Sequence, residues 1–164
     1  MPRTFLWAGP PGAVRLEIAH VSLEDGRMSA NGTQIGISEE AVLYEVRYTV
    51  DEPRLRVELV GGPALELELA EGCDHFDLAY SPVFNSFPVL RHGLHRGGPA
   101  RDFVMTFVSV PDLGVSVSRQ RYDPLNGEGR IHFSAGDFQE DIDFDDEGFV
   151  VHYPSIADRV ALEV

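Results

Sequence analysis

The sequence contains no lysine, and arginine supplies all 13 basic residues of the 164-residue chain. Without lysine, the protein cannot form a Schiff base with pyridoxal phosphate or with a carbonyl substrate. A phosphate-binding loop that ends in Gly-Lys-Ser or Gly-Lys-Thr is excluded for the same reason. The absence of one residue type therefore removes two large classes of enzyme.

Cysteine and long apolar runs are also scarce. Cys73 is the single cysteine, so the chain can form neither an internal disulfide nor a zinc site of several cysteines. No apolar run is long enough to cross a bilayer, and residues 1–7 lack the apolar core of a signal peptide. We therefore expect a cytoplasmic protein with no stable membrane insertion.

The chain is strongly acidic, with a formal net charge of −14. Such a surface repels phosphate backbones and anionic membranes, so nucleic acid is not an expected partner. The hydrophobic content of 43% and the charged content of 24% are those of an ordinary globular protein. The length suits one domain over residues 1–164.

Apolar residues recur at every second position along most of the chain, which predicts strands with one buried and one wet face. The clearest examples are residues 14–18, 42–50, 55–59 and 65–69. In the first of them, Val14, Leu16 and Ile18 alternate with Arg15 and Glu17, and we expect the apolar set to be buried.

Short segments rich in glycine, proline, aspartate and asparagine separate ten or more such strands. Helical periodicity is missing, and only residues 155–159 could form a helical turn. The fold class is therefore all-β, as an antiparallel barrel, roll or sandwich with very little helix.

Residues 81–92 break the alternating pattern. Pro82 and Pro88 should interrupt regular pairing, yet most of the intervening residues are apolar. We expect a loop that folds back onto the apolar interior, with Asn85, Arg91 and His92 as its polar exceptions. Such a loop is either a structural plug for one end of the fold or a functional site.

The strand at residues 103–110 is apolar on both faces. Phe103, Met105 and Phe107 alternate with Val104, Thr106, Val108 and Val110. A strand of this kind is buried on both faces, or it faces the core on one side and a cavity on the other. Both interpretations remain open, because core filling and cavity lining look alike in a sequence.

No pattern of residues predicts a metal, a cofactor or a catalytic group. His92 and His95 are three positions apart and could share a metal ion only on a turn. The acidic run at residues 141–148 does not have the glycine of a calcium loop at the required position, and it is typical of a hairpin. Neither Gly-x-Ser-x-Gly nor a dinucleotide-binding glycine motif occurs.

One polar cluster follows an apolar strand, where Arg119, Gln120, Arg121 and Tyr122 come after Val117. Arginine, glutamine, asparagine and tyrosine hold hydroxyl-rich groups through several hydrogen bonds or a flat ring. The alternative is that the two arginines pair with the abundant surface acids.

Four ordered blocks between about Gly72 and Val160 carry a family resemblance. They are Gly72-Cys73-Asp74-His75-Phe76-Asp77-Leu78 with Ser81-Pro82-Val83-Phe84-Asn85-Ser86-Phe87-Pro88-Val89-Leu90-Arg91, Val108-Ser109-Val110-Pro111-Asp112-Leu113, Gln120-Arg121-Tyr122, and Asp146-Glu147-Gly148-Phe149-Val150-Val151-His152-Tyr153-Pro154. On these residues the chain resembles the bacterial putative glycolipid-binding family. It departs from that family at Phe84, where the family has threonine, and at His92, where it has a second arginine.

The resemblance implies a spiral β-roll, a curled antiparallel sheet likened to bacterial lipoprotein carriers. It also implies binding of a glycolipid or another amphiphile rather than catalysis. We expect the tails to lie in the roll and the head group to be held at a polar mouth. The predicted ligand-binding residues are Asn85, Arg91, Gln120, Tyr122, Asp77 and Tyr153.

Two alternatives remain beside a binding protein. The first is a hydrolase or isomerase acting on a sugar or lipid, with His75, His92 and Asp77 as acid–base candidates. The second is a structural subunit of a homo-oligomer that buries its apolar strand faces against a copy of itself.

Overall fold

The computed structural model describes residues 2–163, which form 13 strands, one α-helix and one short 3₁₀ helix. The strands are β1 (Arg3–Ala8), β2 (Arg15–Glu24), β3 (Arg27–Ile37), β4 (Leu43–Asp51), β5 (Arg54–Leu59), β6 (Ala64–Glu68), β7 (His75–Leu78), β8 (Arg101–Val108), β9 (Val115–Pro124), β10 (Arg130–Ala135), β11 (Phe138–Phe144), β12 (Val150–Tyr153) and β13 (Ala157–Arg159). The α-helix is α1 (Pro82–His92), and the 3₁₀ helix covers Leu94–Arg96.

The 13 strands form one curled sheet in the order β6-β5-β4-β3-β2-β1-β13-β12-β11-β10-β9-β8-β7. Neighbouring strands are antiparallel throughout, except that β7 pairs with β8 in parallel. The sheet is not closed, because β6 and β7 end the order without pairing with each other. The all-β fold class with little helix is confirmed.

The predicted loop at residues 81–92 is wrong, because this segment is the helix α1. Pro82 occupies the first helical turn, where a missing N–H costs nothing, and Gly93 ends the helix in the left-handed conformation with φ of 65°. Pro88 lies inside the helix and removes one backbone hydrogen bond. Burial of every residue from Pro82 to Val89 outweighs that loss.

The helix fills the inside of the roll. Val83, Phe84 and Phe87 pack into an apolar cluster whose other members come mainly from β1 to β7. Val89 joins a second cluster built from β8 to β12, so α1 lies between the two halves of the sheet. Most of α1 is therefore surrounded by packed side chains.

Strand β8 is buried on both faces, as one of the two sequence interpretations requires. Phe103 and Met105 belong to the second cluster, whereas Val108 on the opposite face belongs to the first. Phe107 is partly exposed and lines a groove. The strand therefore combines both interpretations, with core along most of its length and a cavity beside Phe107.

Strand β2 has the opposite orientation to the one expected. Leu16 and Ile18 are 49% and 46% exposed, whereas Glu17 is 2% exposed on the inner face. Ala19 and Val21 share that inner face and are fully buried. Glu17 is tolerated there because two hydroxyl groups from distant parts of the chain donate to its carboxylate.

The expected helical turn at residues 155–159 is also wrong. Pro154–Ile156 forms a turn, and the chain then enters β13, which pairs with both β1 and β12. The short strand β13 joins the first and last parts of the chain in one sheet, so pairing overrides local helical preference here.

Candidate functional site

A groove of about 490 Å³ lies beside the first turns of α1, over the inner faces of β7 to β11. The lining of the groove is partly polar and partly aromatic. The polar side chains are Asp77, Ser81, Asn85, Ser109, Ser118 and Gln120. The apolar and aromatic lining includes Phe107, Val110, Phe133, Phe138, Tyr153 and Ile156.

A chain of hydrogen bonds runs beneath the polar lining and ends at Asp77. Asn85 Nδ2 donates to Tyr122 Oη at 3.0 Å, and Tyr122 Oη lies 3.4 Å from Gln120 Oε1. Gln120 Nε2 then donates to Asp77 Oδ2 at 2.7 Å. The donors all point towards the carboxylate, so the network presents Asp77 to the groove as its final acceptor.

The environment of Asp77 favours its neutral form. Desolvation by the surrounding protein raises the pKa of Asp77 to about 6, although hydrogen bonds from Gln120 and from the Leu78 backbone oppose the shift. Burial and the charge of Asp77 raise the pKa of Tyr122. Burial, followed by Tyr122 and Asp77, raises the pKa of Tyr153, so both phenols remain neutral.

Three aromatic rings of the lining form a cluster. The centroid of Phe133 lies 6.0 Å from that of Phe138 and 6.2 Å from that of Tyr153, and Phe138 and Tyr153 are 6.3 Å apart. Phe138 is 38% exposed, which is unusual for a large apolar side chain inside a concave surface. The three rings are tilted by 49–66° to one another, and together they add apolar surface to the same groove as the hydrogen-bonding groups.

Five of the six sequence-predicted residues meet at this groove. Asp77, Asn85, Gln120 and Tyr153 line it, and Tyr122 lies beneath, bonded to Asn85 and Gln120. Arg91 does not join them. It lines a second pocket of about 390 Å³ at the other end of α1.

In the second pocket, both carboxylate oxygens of Glu52 are hydrogen-bonded within the protein. His75 Nδ1 lies 2.8 Å from Glu52 Oε1, and the Phe76 backbone N–H donates to Glu52 Oε2 at 3.0 Å. His75 and Arg91 line this pocket, whereas Asp77 lines the first groove. Of the three acid–base candidates in the enzyme hypothesis, His75 and His92 lie near each other, with ring centroids 6.4 Å apart, whereas Asp77 lines a different groove from His75.

Sequence reasoning missed the buried carboxylate that anchors the start of α1. Glu17 accepts hydrogen bonds from Ser81 Oγ and, at 2.6 Å, from Tyr48 Oη. Burial raises the pKa of Glu17 to about 7, although Ser81, Tyr48 and Arg15 oppose the shift. Because Ser81 lines the groove, Glu17 fixes one of its polar groups.

A second tyrosine supports the same segment. Tyr44 Oη donates to Gln34 Oε1 at 2.9 Å, and Gln34 Nε2 donates to the Ala79 carbonyl at 3.0 Å. The ring of Tyr44 crosses Gly36, where a Cβ atom would lie 2.7 Å from its hydroxyl. Glycine inside an alternating strand was the available signal for this close approach.

Within residues 2–163, no group of three or more histidine, cysteine, aspartate or glutamate side chains is arranged to hold a metal ion. Over the same residues, no helix is long and apolar enough to span a bilayer.

The family model described as "Putative glycolipid-binding" matches residues 60–159, which is more than half of the chain. The chain belongs to this family. The matched region contains every residue that lines the groove, whereas Glu17 and Tyr48 lie outside it.

A crystal structure of a DUF1089 family protein from Pseudomonas aeruginosa has a similar fold. The two chains are 20% identical and superimpose with a TM-score of 0.52, over 98% of this chain and 94% of the other. At this identity the likeness concerns the fold alone. No protein of curated function matches the sequence.

Proposed function

We propose that the groove binds the head group and the adjoining part of a glycolipid or similar amphiphile. The observation that carries the proposal is the joining of a directed hydrogen-bond chain and three aromatic rings in one groove of about 490 Å³. A volume of this size is typical of sites for small molecules. The family description points to the same class of ligand.

The head group would contact both the polar and the aromatic lining. Asp77 would accept hydrogen bonds from sugar hydroxyls, and Asn85 and Gln120 would orient them. The faces of Phe138 and Tyr153 would cover the apolar face of the sugar ring. Tyr122 would act by holding Asn85 and Gln120 in position.

The tail would follow the surface of the roll, since α1 fills the interior. Phe107, Val110 and Ile156 extend the groove with partly buried apolar surface. Tyr80 and Val110 also line a neighbouring groove of about 720 Å³, but its other lining residues include Arg15, Glu39 and Glu40, so the apolar path for a tail ends near Val110. Each methylene group buried there would contribute roughly 0.8 kcal/mol.

Arg91 is not part of the proposed head-group site. It begins the last turn of α1, six residues after Asn85, and six helical residues rise about 9 Å. A ligand seated beside Asp77 and Asn85 would not need this guanidinium for its head group.

Calorimetric titration with octyl β-D-glucoside below its micelle concentration tests the proposal. We expect saturable binding that weakens about tenfold in Phe138→Ala, because the variant removes one of the three rings. Leu43→Ala is the matched control, since Leu43 is 71% exposed and does not line the groove. Absence of saturable binding, or equal losses in both variants, would contradict the proposal.

A further inference from the structure

The groove carries one formally charged side chain, that of Asp77. The other polar lining groups among residues 2–163 are hydroxyls and amides, and no arginine or histidine lines the groove. Within the described part of the chain, the one side-chain donor to the Asp77 carboxylate is the neutral amide of Gln120. Asp77 therefore faces the groove without a cationic partner.

Other carboxylates in the protein do have such partners. Asp145 pairs with Arg159 at 2.6 Å, and Asp143 pairs with Arg130 at 2.8 Å. In both pairs an arginine neutralises the charge of the carboxylate. At Asp77 this neutralisation is missing on the side from which a ligand would enter.

The elements packed around Asp77 place their cations elsewhere. On β7 itself, His75 shares the face of Asp77 but is bonded to Glu52 through Nδ1. On α1, Arg91 and His92 lie at the opposite end of the helix from Asn85.

Strand β8, which pairs with β7, and the next strand β9 supply no counter-ion either. On β9, Arg119 and Arg121 precede and follow the buried Gln120, so their side chains lie on the opposite, exposed face of the strand. Arg121 pairs there with Asp102 of β8. Arg101 is exposed at the start of β8. The remaining titratable groups that line the groove are the phenols of Tyr80 and Tyr153, which carry no positive charge. Arg15 of β2 stacks on the Tyr80 ring at 4.3 Å, and its guanidinium donates to the Ile156 carbonyl.

We propose that the natural ligand carries a primary amine in its head group, as an amino sugar does, and that its ammonium pairs with Asp77. This inference rests on the proposed function. A partly desolvated carboxylate without a partner is unfavourable, and a ligand ammonium supplies the missing partner together with charge-assisted hydrogen bonds. Phosphate, sulfate or carboxylate head groups are disfavoured by the same charge.

The preference should depend on pH in a defined direction. Burial raises the pKa of Asp77 to about 6, so the carboxylate is mostly ionised near pH 7 and mostly protonated near pH 5. The amine is protonated over this range, since amino groups of this kind lose their proton at about pH 7.7–8.0. The amine preference is therefore present between about pH 6 and the range of about pH 7.7–8.0 in which the amine loses its proton, and it is lost as pH falls through about 6.

Two probes with the same octyl tail test the inference by calorimetry at about pH 7. They are octyl β-D-glucoside and octyl 2-amino-2-deoxy-β-D-glucoside. We expect the amine to bind roughly tenfold more tightly, the gain of one charge-assisted pair. Asp77→Asn should abolish the preference, as should lowering the pH to about 5.

Control measurements distinguish a failure of the amine inference from a failure of the proposed function. Asp146→Asn, which removes an exposed carboxylate away from the groove, should retain the full preference. Equal binding of both probes to wild type would overturn the amine inference while leaving the proposed function intact. Failure of both probes to bind would overturn the proposed function, and the inference with it.

Discussion

The two ends of α1 each meet a titratable residue of β7, and the two residues are treated differently. His75 is 4% exposed and its ring nitrogen is bonded to Glu52, which also accepts the Phe76 N–H. Asp77, two positions along the same face, receives hydrogen bonds from the Gln120 side chain and the Leu78 backbone N–H and remains partly exposed to a groove. The first arrangement is complete within the protein, whereas the second leaves a charge for something else to satisfy.

The largest effect on stability is expected at Phe84, whose burial supports both ends of α1. Phe84 is 1% exposed and packs edge-on against Tyr48, with ring centroids 5.2 Å apart. Phe84→Ala should lower the free energy of unfolding by about 3–5 kcal/mol, through lost burial and a cavity in the packed interior. Urea denaturation measures the change, and a loss below about 1 kcal/mol would contradict the role of α1 as a buried plug.

The end of α1 that meets His75 should be more important for stability than the end that meets Asp77. Glu52→Ala leaves the His75 ring and the Phe76 N–H without their acceptor, and each unsatisfied buried group costs about 1–3 kcal/mol. We expect a loss of about 2 kcal/mol in the same denaturation experiment. Glu66→Ala, on the exposed edge strand β6, is the control and should change stability by less than about 0.5 kcal/mol.

A substitution at the Asp77 end of α1 should have the opposite effect on stability. Asp77→Asn should raise the free energy of unfolding at neutral pH by about 1 kcal/mol, because it removes a carboxylate whose ionised form is disfavoured in the folded protein. The pKa of Asp77 is raised from 3.8 to about 6 on folding, so its ionisation destabilises the fold as pH rises through this interval.

The gain from Asp77→Asn should therefore be full above about pH 6 and vanish towards pH 4, where Asp77 is protonated in both states. Thermal denaturation of both proteins across this range measures it. A destabilised variant at pH 7 would show that the carboxylate supports the fold, as Glu52 does, and would remove the contrast between the two ends.

Much of the sheet could be predicted from the sequence because alternation is a local property. Residues 42–50, 55–59 and 103–108 are strands whose buried faces match the pattern. The helix could not be predicted in this way, since all of residues 82–89 are buried and no polar face creates a helical period. The two prolines reinforced the wrong prediction.

The candidate site was partly predictable for a similar reason. Asp77, Asn85, Gln120 and Tyr153 stand in the blocks that carry the family resemblance, and the fold places all four at one groove. The error at Arg91 follows from the missed helix, which carries that side chain to the other pocket. Glu17 was missed because its partners, Tyr48 and Ser81, are 31 and 64 positions away in the sequence.

The most direct test of the groove as the binding site is a titration of isotope-labelled protein with octyl β-D-glucoside, followed by nuclear magnetic resonance. The account predicts that the side-chain amides of Asn85 and Gln120 shift in a saturable way, while the signals of His75 and Arg91 at the other end of α1 stay in place. Saturable shifts confined to His75 and Arg91, with Asn85 and Gln120 unchanged, would contradict it.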